Sequence, residues 1–139
     1  MDDFPELEGL RRFHGHLGPY VVIGLRVGQY ALQRVHGQSH FGVEAEVHCA
    51  GQTPESCLLD GVQFSTGCTM GKRNLIHTLG HPVQIHLRNR ETGEEVVLGL
   101  NEEMVGEAVR RMRELGEDDA VQFICALPVE ELITEQAFR

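Results

Sequence analysis

The spacing of apolar residues along the chain predicts both helices and strands. From Pro19 to Val35 the apolar positions recur with the period of a helix, and from Val43 to Cys49 they alternate with polar ones. A period near 3.6 residues buries one face of a helix, whereas a period of two buries one face of a strand. Pro19 suits the first helical turn, and Gly37 suits the position after the last one. We therefore predict a helix followed by a strand.

The other elements are predicted from the same periods, helped by caps and turn residues. Asn101 has the side chain of a helix N-cap, and Gly116 suits the end of the helix that Asn101 begins. Phe13 and Leu115 are assigned to buried helix faces, and residues 121–127 fit a helix and a strand equally well. The remaining predictions are helices over 4–13, 53–64 and 101–116, strands over 74–77, 83–87 and 96–100, and a turn over 89–94.

This order of elements favours an α+β fold. A helix, a strand, a helix, several strands and a helix follow one another, and the strands over 83–87 and 96–100 form a hairpin. Such an order predicts a mostly antiparallel sheet packed with helices. A chain of 139 residues has the length of one domain, so we assign residues 1–139 to a single core domain.

The charge of the chain argues against nucleic acid as a partner. Its 12 lysines and arginines are outnumbered by 21 aspartates and glutamates, and the net charge at pH 7 is −9. An acidic surface repels a phosphate backbone, and the acidic runs are typical of solvated faces. The apolar runs are too short to span a membrane, and no secretory signal is visible. We expect a cytoplasmic protein with no nucleic-acid or membrane partner.

Histidines and cysteines indicate where a functional site would lie. All eight histidines and three of the four cysteines fall between Phe13 and Arg90. The cysteines form no CxxC pair, and thiols are expected to stay reduced in a chain without a secretory signal. Cys49 and Cys125 are predicted to be core residues, since cysteine is among the most buried residue types. The other two cysteines belong to motifs of their own.

The segment STGCTMGK, residues 65–72, is similar to a phosphate-binding loop but does not meet its requirements. Gly67 and Gly71 are separated by three residues where that loop has four, and Arg73 stands where it needs Ser or Thr. Walker-type nucleotide binding is therefore excluded. The amides of such a turn can bind an anion, and Cys68 and Lys72 add a thiol and an ammonium. Taken alone, these eight residues favour a simpler interpretation, a turn around a buried cysteine.

A second motif, FHGHLGP at residues 13–19, contains two histidines just before the predicted helix. The residue before a proline is pushed towards an extended conformation. In an extended chain, residues two apart point to the same side, so His14 and His16 can converge on one ion. The alternative is that one histidine packs against the helix start and the other is solvated, and for an isolated pair that alternative is favoured.

A third motif places Cys57 and Asp60 on one face of the predicted helix over 53–64, because they are three residues apart. A thiol near a helix N-terminus is expected to have a lowered pKa and to bind metal more readily. The alternative is a buried core cysteine. Together the three motifs supply two histidines and two thiols, a ligand set that zinc accepts.

At these motifs the sequence resembles the FmdE family, which takes its name from a component of formylmethanofuran dehydrogenase. The resemblance rests on two blocks in the family's order, which are FHGHLGPYVVIGLR at 13–26 and CLLDGVQFSTGCTMGKRNL at 57–75. It extends from Phe13 to about Leu100. It implies an α+β core that tends to form a homodimer, and a pocket lined by histidine and cysteine that binds a transition metal, usually zinc.

The resemblance also implies roles for individual residues. The implied metal ligands are His14, His16, Cys57 and Cys68. The implied ligand-binding residues are Gln63, Thr66, Thr69 and Lys72. The candidate catalytic residues are Cys68, Asp60 and Lys72. Many members have a cysteine where Gly18 stands, and many carry a zinc ribbon with CxxC pairs that this sequence does not contain.

Two classes of function follow from the sequence. The first is an enzyme-like pocket in which a divalent metal, Lys72 and turn amides receive an anionic or carbonyl group of a small molecule. Asp60 favours this class, since its carboxylate can act as a general base. The second is a non-catalytic accessory or cofactor-handling subunit of a molybdenum or tungsten dehydrogenase complex, docked through acidic surfaces. The sequence alone does not decide whether the protein is an enzyme.

Overall fold

A computed structural model describes residues 4–139 and shows the predicted α+β architecture. The helices in that range are α1 (Glu6–His14), α2 (Pro19–Arg34), α3 (Leu58–Thr66), α4 (Glu102–Leu115) and α5 (Glu117–Ala126). The strands are β1 (Val43–Cys49), β2 (Leu75–Leu79), β3 (Gln84–Asn89), β4 (Glu95–Leu100) and β5 (Ile133–Phe138). Between residues 4 and 139, no helix combines the length and apolar composition needed to cross a membrane.

The five strands form one sheet in the order β2-β1-β3-β4-β5. β1 and β2 are parallel and are connected through α3, whereas the other neighbouring strands are antiparallel. The alternation predicted for β1 is present, because Val43, Ala45, Val47 and Cys49 are all buried. α2 contacts β3 and β4 and packs with α3, α4 and α5, which places a helical layer over the buried face of the sheet.

The other face of the sheet is polar and carries ion pairs between neighbouring strands. Arg88 of β3 contacts Glu44 of β1 at 3.2 Å, and His86 of β3 contacts Glu95 of β4 at 3.0 Å. These side chains are partly exposed, so water screens their attraction. This face therefore adds little to stability compared with the apolar core on the helix side.

α2 is the central helix of the molecule and confirms the sequence prediction. It begins at Pro19 and ends at Arg34, one residue before the predicted end. Apolar residues such as Val22, Ile23 and Val27 are fully buried, since α2 packs against the sheet and against three other helices. The predicted helix after Asn101 is also confirmed, because the Asn101 side chain accepts hydrogen bonds from two backbone amides of its first turn.

α2 and α3 pack closely through two glycines. A Cβ at Gly24 would collide with the carbonyl oxygen of Leu58, and a Cβ at Gly61 would collide with that of Val21. A hydrogen atom is therefore the largest side group that fits at either position. This close contact sets the position of Asp60, in the first turn of α3, relative to the start of α2.

Several elements differ from the sequence prediction. α3 begins at Leu58 rather than at residue 53, because Glu55–Cys57 form a separate 3₁₀ turn. Phe13 and Leu115 are predicted to point inward, but they are 54% and 60% exposed at the last turns of their helices. The ambiguous segment over 121–127 lies largely in helix α5, and strand β5 is not predicted because its centre, Thr134–Gln136, is polar.

The four cysteines are all free thiols, as predicted for a chain with reduced cysteines. Cys49 is fully buried at the end of β1, where burial raises the pKa of its thiol to about 11, with a further contribution from the charge of Glu55. Cys125 is half-buried in α5, and burial raises the pKa of its thiol as well. Both cysteines therefore pack in or against the core, and the Cys49 thiol also contacts His77 Nε2 at 3.5 Å.

Candidate functional site

The connection between α1 and α2 brings His14 and His16 together, and we call residues 14–18 the histidine loop. His14 is the last residue of α1, and Gly15 turns the chain with a φ of +109°, a conformation that favours glycine. The two imidazole rings lie 5.1 Å apart between centroids. The sequence prediction assumes an extended chain here, but the approach of the two rings results from a helix end followed by a left-handed glycine.

The Asp60 carboxylate is hydrogen-bonded directly to the His14 ring. The distance between Asp60 Oδ2 and His14 Nδ1 is 2.6 Å, and the carboxylate joins the first turn of α3 to the end of α1. An ionised carboxylate can only accept, so the Nδ1–H of His14 is the donor, and in the neutral ring Nε2 then carries the lone pair. The His14 side chain is only 10% exposed, and its Nε2 is buried without a hydrogen-bond partner.

A buried nitrogen without a partner is costly, and native proteins rarely contain one without a reason. His14 Nε2 is the one such side-chain atom among the described residues. Its opposite ring nitrogen is hydrogen-bonded to the Asp60 carboxylate, which favours the tautomer with the proton on Nδ1. Metal-binding histidines have this arrangement, with a carboxylate on one ring nitrogen and the ion on the other.

Cys57 lies one helical turn before Asp60 and is half-buried. The sequence prediction is a lowered pKa for this thiol, but burial raises the pKa of Cys57, and the negative charge of Asp60 raises it further. Cys57 is the last residue of the 3₁₀ turn over Glu55–Cys57 and the N-cap residue of α3. Without a cation, Cys57 is therefore a neutral thiol.

Gln63 connects the His14–Asp60 pair to the STGCTMGK segment. Its Nε2 donates to Asp60 Oδ1 at 3.4 Å, and its Oε1 accepts from the Met70 amide at 3.3 Å. Phe64 of α3 packs beside Phe13, the neighbour of His14, with ring centroids 6.1 Å apart. One side of α3 thus carries polar contacts to the histidine loop and an aromatic contact next to them.

Cys68 is not part of this cluster. Its side chain is fully buried and donates to the carbonyl oxygen of Val43 at 3.6 Å, and burial raises the pKa of its thiol. Cys57 precedes α3 and Cys68 follows it, so a helix of nine residues, about 13 Å long, separates them. Two thiolates on one zinc ion need to lie within about 4 Å of each other. The structure does not bring the two cysteines to one ion.

The hydroxyls and the lysine of STGCTMGK make local contacts. Thr66 is buried, donates to the Val62 carbonyl at 2.7 Å and accepts from the Cys68 amide at 3.1 Å. Thr69 accepts from the Lys72 amide at 3.1 Å, and the Lys72 ammonium lies 5.8 Å from the centre of the Phe41 ring. Within residues 4–139, no hydrogen bond or ion pair joins Lys72 to the histidine loop.

The two glycines of this segment have different roles. Gly67 ends α3 with a φ of +76°, and a Cβ there would lie 2.6 Å from the His40 ring. Gly71 has no positive φ and no atom closer than 3.9 Å to a Cβ, so its geometry does not require glycine. The segment is therefore a helix C-cap with a left-handed glycine, followed by a turn.

Glu117 is a residue of the site that the sequence analysis does not identify. Its Oε1 accepts from the amide of Leu17, within the histidine loop, at 3.0 Å, and its Oε2 pairs with Arg11 at 2.9 Å. In the sequence it belongs to a run of solvated acids, since nothing there connects it to a loop 100 residues earlier. A carboxylate in the first turn of α5 thus holds the loop between α1 and α2.

Among the described residues, no group of three or more His, Cys, Asp or Glu side chains is arranged to hold a metal ion. A Cβ at Gly18 would lie 3.7 Å from His16 Nε2, so position 18 faces the His16 ring, and glycine leaves that space open.

Comparison with known proteins now identifies the family. Residues 13–134 match the model of FmdE, described as "Molybdenum formylmethanofuran dehydrogenase operon". The chain belongs to the FmdE family. The matched range includes the histidine loop, α3, the STGCTMGK segment, strands β1 to β4 and only the first two residues of β5.

One solved relative has the same fold. It is an FmdE-like protein from Syntrophus aciditrophicus, related to tungsten formylmethanofuran dehydrogenase, 25% identical, with a TM-score of 0.65. The match covers 94% of this chain and 68% of the other. The FmdE fold therefore extends over nearly all of the present chain.

A curated relative matches over a shorter segment. It is a probable S-adenosyl-L-methionine-binding protein from Archaeoglobus fulgidus, 36% identical over 73 residues. The match covers 48% of this chain and 19% of the relative, so the chain matches about a fifth of that protein's length. The similarity therefore concerns one segment of a larger protein.

Proposed function

We propose that this FmdE-family chain binds zinc, or a similar divalent transition metal, through His14 and His16. Asp60 holds His14 in the ligating orientation, and Cys57 is the third candidate ligand. The ion keeps an open position for a small anionic or carbonyl ligand. Cys68 is outside this ligand set because it lies in the core.

The proposal rests on the surroundings of the two ring nitrogens of His14. Its Nδ1 is held by Asp60 at 2.6 Å, and its Nε2 is buried without a partner. A cation at Nε2 satisfies that nitrogen, and no proton has to move because the tautomer is already correct. The ring of His16, 5.1 Å away between centroids, is close enough to supply a second nitrogen after a small rotation.

The donor types favour zinc over magnesium or calcium. Imidazole and thiolate are preferred by zinc and by other borderline or soft metals, whereas hard cations prefer oxygen. Cys57 has a raised pKa in the metal-free chain, so metal binding has to displace its proton. Affinity is therefore expected to increase with pH through the range where the thiol ionises.

The residues around the ion have separate tasks. Zinc with an open position polarises a carbonyl group or binds an anion. Both carboxylate oxygens of Asp60 are hydrogen-bonded, Oδ2 to His14 and Oδ1 to Gln63. Its role in this proposal is therefore to orient the metal-binding ring of His14 rather than to act as a general base. Glu117 keeps the histidine loop in place through the Leu17 amide.

Zinc titration of purified variants by calorimetry tests the site. We expect His14→Ala to abolish tight zinc binding and Asp60→Asn to weaken it about 10- to 100-fold, the usual effect of losing an outer carboxylate. Zinc should also slow alkylation of Cys57. Two matched controls, the core variant Cys68→Ser and the exposed-histidine variant His81→Ala, should bind zinc like the wild type. Unchanged zinc affinity in His14→Ala contradicts the proposal.

A second candidate function is a non-catalytic accessory subunit of a molybdenum or tungsten dehydrogenase. The names of the family and of the solved relative, which refer to formylmethanofuran dehydrogenase, favour it. Size-exclusion chromatography with the purified catalytic subunits of such an enzyme tests it, because an accessory subunit co-elutes at equal molar ratio. Separate elution at micromolar concentration contradicts this candidate.

A further inference from the structure

A cavity on the polar face of the sheet shares no residue with the histidine loop. Its volume is about 170 Å³, and it lies where β1 runs between β2 and β3. Pockets for drug-sized ligands begin at about 300 Å³, so this cavity suits a smaller molecule. The lining residues that matter for binding are Glu44, Glu46, Arg73, Ile76 and Arg88. The lining therefore combines charges of both signs with an apolar side chain.

Arg73 has an unusual backbone conformation at the edge of this cavity. Its φ is +62°, in the left-handed region that favours glycine. Asn74, the next residue, is buried, and its side chain donates to two carbonyl oxygens and accepts from the Thr69 amide. A strained residue persists only where its surroundings determine it, and such residues are frequent at functional sites. The fold thus holds an arginine at the cavity where glycine would have less strain.

The guanidinium of Arg73 is available to bind a ligand. Within residues 4–139 it has no ion-pair or hydrogen-bond partner, whereas Arg88 and Arg90 both pair with Glu44 at 3.2 Å. A guanidinium binds a carboxylate through two parallel hydrogen bonds. Arg73 is therefore the anion-binding group of the cavity.

Glu46 provides the opposite charge in the same cavity. Its Oε2 accepts from Thr78 at 2.9 Å and contacts His48 at 3.0 Å, but its Oε1 has no partner among the described residues. The hydrogen bond from Thr78 keeps the pKa of Glu46 below its ordinary value although burial opposes this, so the carboxylate is ionised at neutral pH. Ile76, directly opposite Glu46 on β2, adds an exposed apolar surface. Oε1 can therefore accept from an ammonium group beside that surface.

We propose that this cavity binds a small zwitterion, an apolar α-amino acid, with its carboxylate on Arg73 and its ammonium group on Glu46. A phosphate or a dicarboxylate fits less well, because Glu44 and Glu46 both line the cavity and repel a second negative charge. A simple amine fits less well too, because it leaves Arg73 without a partner. The apolar side chain of the ligand packs on Ile76. The proposal does not depend on the metal at the histidine loop.

Calorimetric titration of the full chain with L-valine, L-leucine and L-phenylalanine tests the ligand class. The protein is freed of metal beforehand, because amino acids also chelate zinc. We expect L-leucine to bind about tenfold or more tightly than N-acetyl-L-leucine, which lacks the ammonium group, or isoamylamine, which lacks the carboxylate. Inorganic phosphate should bind more weakly still. Tighter binding of phosphate or N-acetyl-L-leucine overturns the proposal, and so does the absence of binding by all three amino acids at millimolar concentration.

Arg73→Gly separates binding from a structural role. Glycine adopts a φ of +62° without strain, so we expect this variant to fold at least as stably as the wild type and to bind L-leucine about tenfold or more weakly. His36→Gly is the matched control, because His36 also has a left-handed φ, +54°, but does not line the cavity, and its affinity should not change. Unchanged affinity in Arg73→Gly overturns the proposal. Circular dichroism checks folding, and Arg73→Asn, which also tolerates this conformation, replaces the glycine variant if it unfolds.

Glu46→Gln tests the contact with the ammonium group. We expect it to weaken L-leucine binding about tenfold or more and to leave N-acetyl-L-leucine binding no weaker than in the wild type. Glu91→Gln removes the same charge from an exposed position outside the cavity, and it should bind L-leucine like the wild type. Equal weakening of both ligands in Glu46→Gln, or unchanged L-leucine binding, contradicts the assigned role of Glu46.

Discussion

At the residue scale, the histidine loop depends on contacts made far along the chain. Asp60 holds His14, and Glu117 holds the amide of Leu17. Burial tends to raise the pKa of Glu117, but hydrogen bonds from Arg11 and Leu17 outweigh it, so the pKa is below its ordinary value. The ionised form therefore stabilises the folded state.

This pKa shift gives a prediction about pH. Because the folded-state pKa is lowered, the stabilisation is present above the unfolded pKa of about 4.3 and is lost as pH falls through the folded value. We expect Glu117→Gln to reduce the free energy of unfolding by about 1 kcal/mol at pH 7, and the difference from wild type to vanish at low pH. Urea denaturation of both proteins between pH 3 and pH 7 measures this difference in the free energy of unfolding.

A neighbouring acid gives the control for Glu117. Asp118→Asn removes the same charge from the same turn of α5, but Asp118 is exposed. Its effect on the free energy of unfolding should stay within about 0.5 kcal/mol at each pH. Equal losses in the two variants would mean that only the overall charge matters.

At the scale of elements, the contact between α2 and α3 positions the site. Gly24 and Gly61 let the two helix backbones touch, and Asp60 adjoins Gly61 in α3. The distance of α3 from the histidine loop therefore depends on having glycine, whose side group is a single hydrogen atom, at both positions. Larger side chains there must separate the helices, since backbone atoms cannot yield as a flexible side chain can.

Alanine substitution tests this contact. We expect Gly61→Ala to lower the free energy of unfolding by about 3 kcal/mol or more, because its Cβ meets the backbone of α2. Gly106→Ala is the matched control in the interior of α4, where a Cβ meets no atom within 4 Å. It should stabilise the protein by about 0.5–1 kcal/mol, as alanine does in a helix. Urea denaturation measures the free energy of unfolding of both variants. Similar changes in the two would contradict the close packing of α2 against α3.

At the scale of the whole molecule, Arg26 joins the central helix to the C-terminal part of the chain. Its Nη1 donates to the carbonyl oxygens of Ile124 and Leu127, where α5 ends. Its guanidinium also lies 5.1 Å from the centre of the Phe4 ring, and burial lowers its pKa. One side chain of α2 thus connects the end of α5 and the segment before α1.

Removal of this guanidinium should weaken the fold as a whole. We expect Arg26→Leu to lower the free energy of unfolding by about 2–3 kcal/mol, because two partly buried carbonyls lose their donor. Arg12→Leu, at an exposed position of α1, removes the same charge and should change it by less than about 0.5 kcal/mol. Thermal denaturation in the same buffer measures both, and equal destabilisation would rule out a specific role for Arg26.

The sequence by itself determined the elements whose signals are local. The period of α2, the alternation of β1 and the cap at Asn101 depend on neighbouring residues, and the structure agrees with each. The two FmdE motifs were likewise visible in the sequence, and the family match extends over them. Local signals of this kind arise from backbone geometry and burial of one face, which neighbouring residues largely decide.

Only the tertiary structure decided which motif residues meet. Asp60 reaches His14 because α2 and α3 pack through glycines, and Cys68 is withdrawn into the core because Gly67 ends α3 and turns the chain towards β1. The pairing of Glu117 with the histidine loop joins positions about 100 residues apart. Such contacts depend on how whole elements pack, and residue spacing along one sequence carries no measure of that packing.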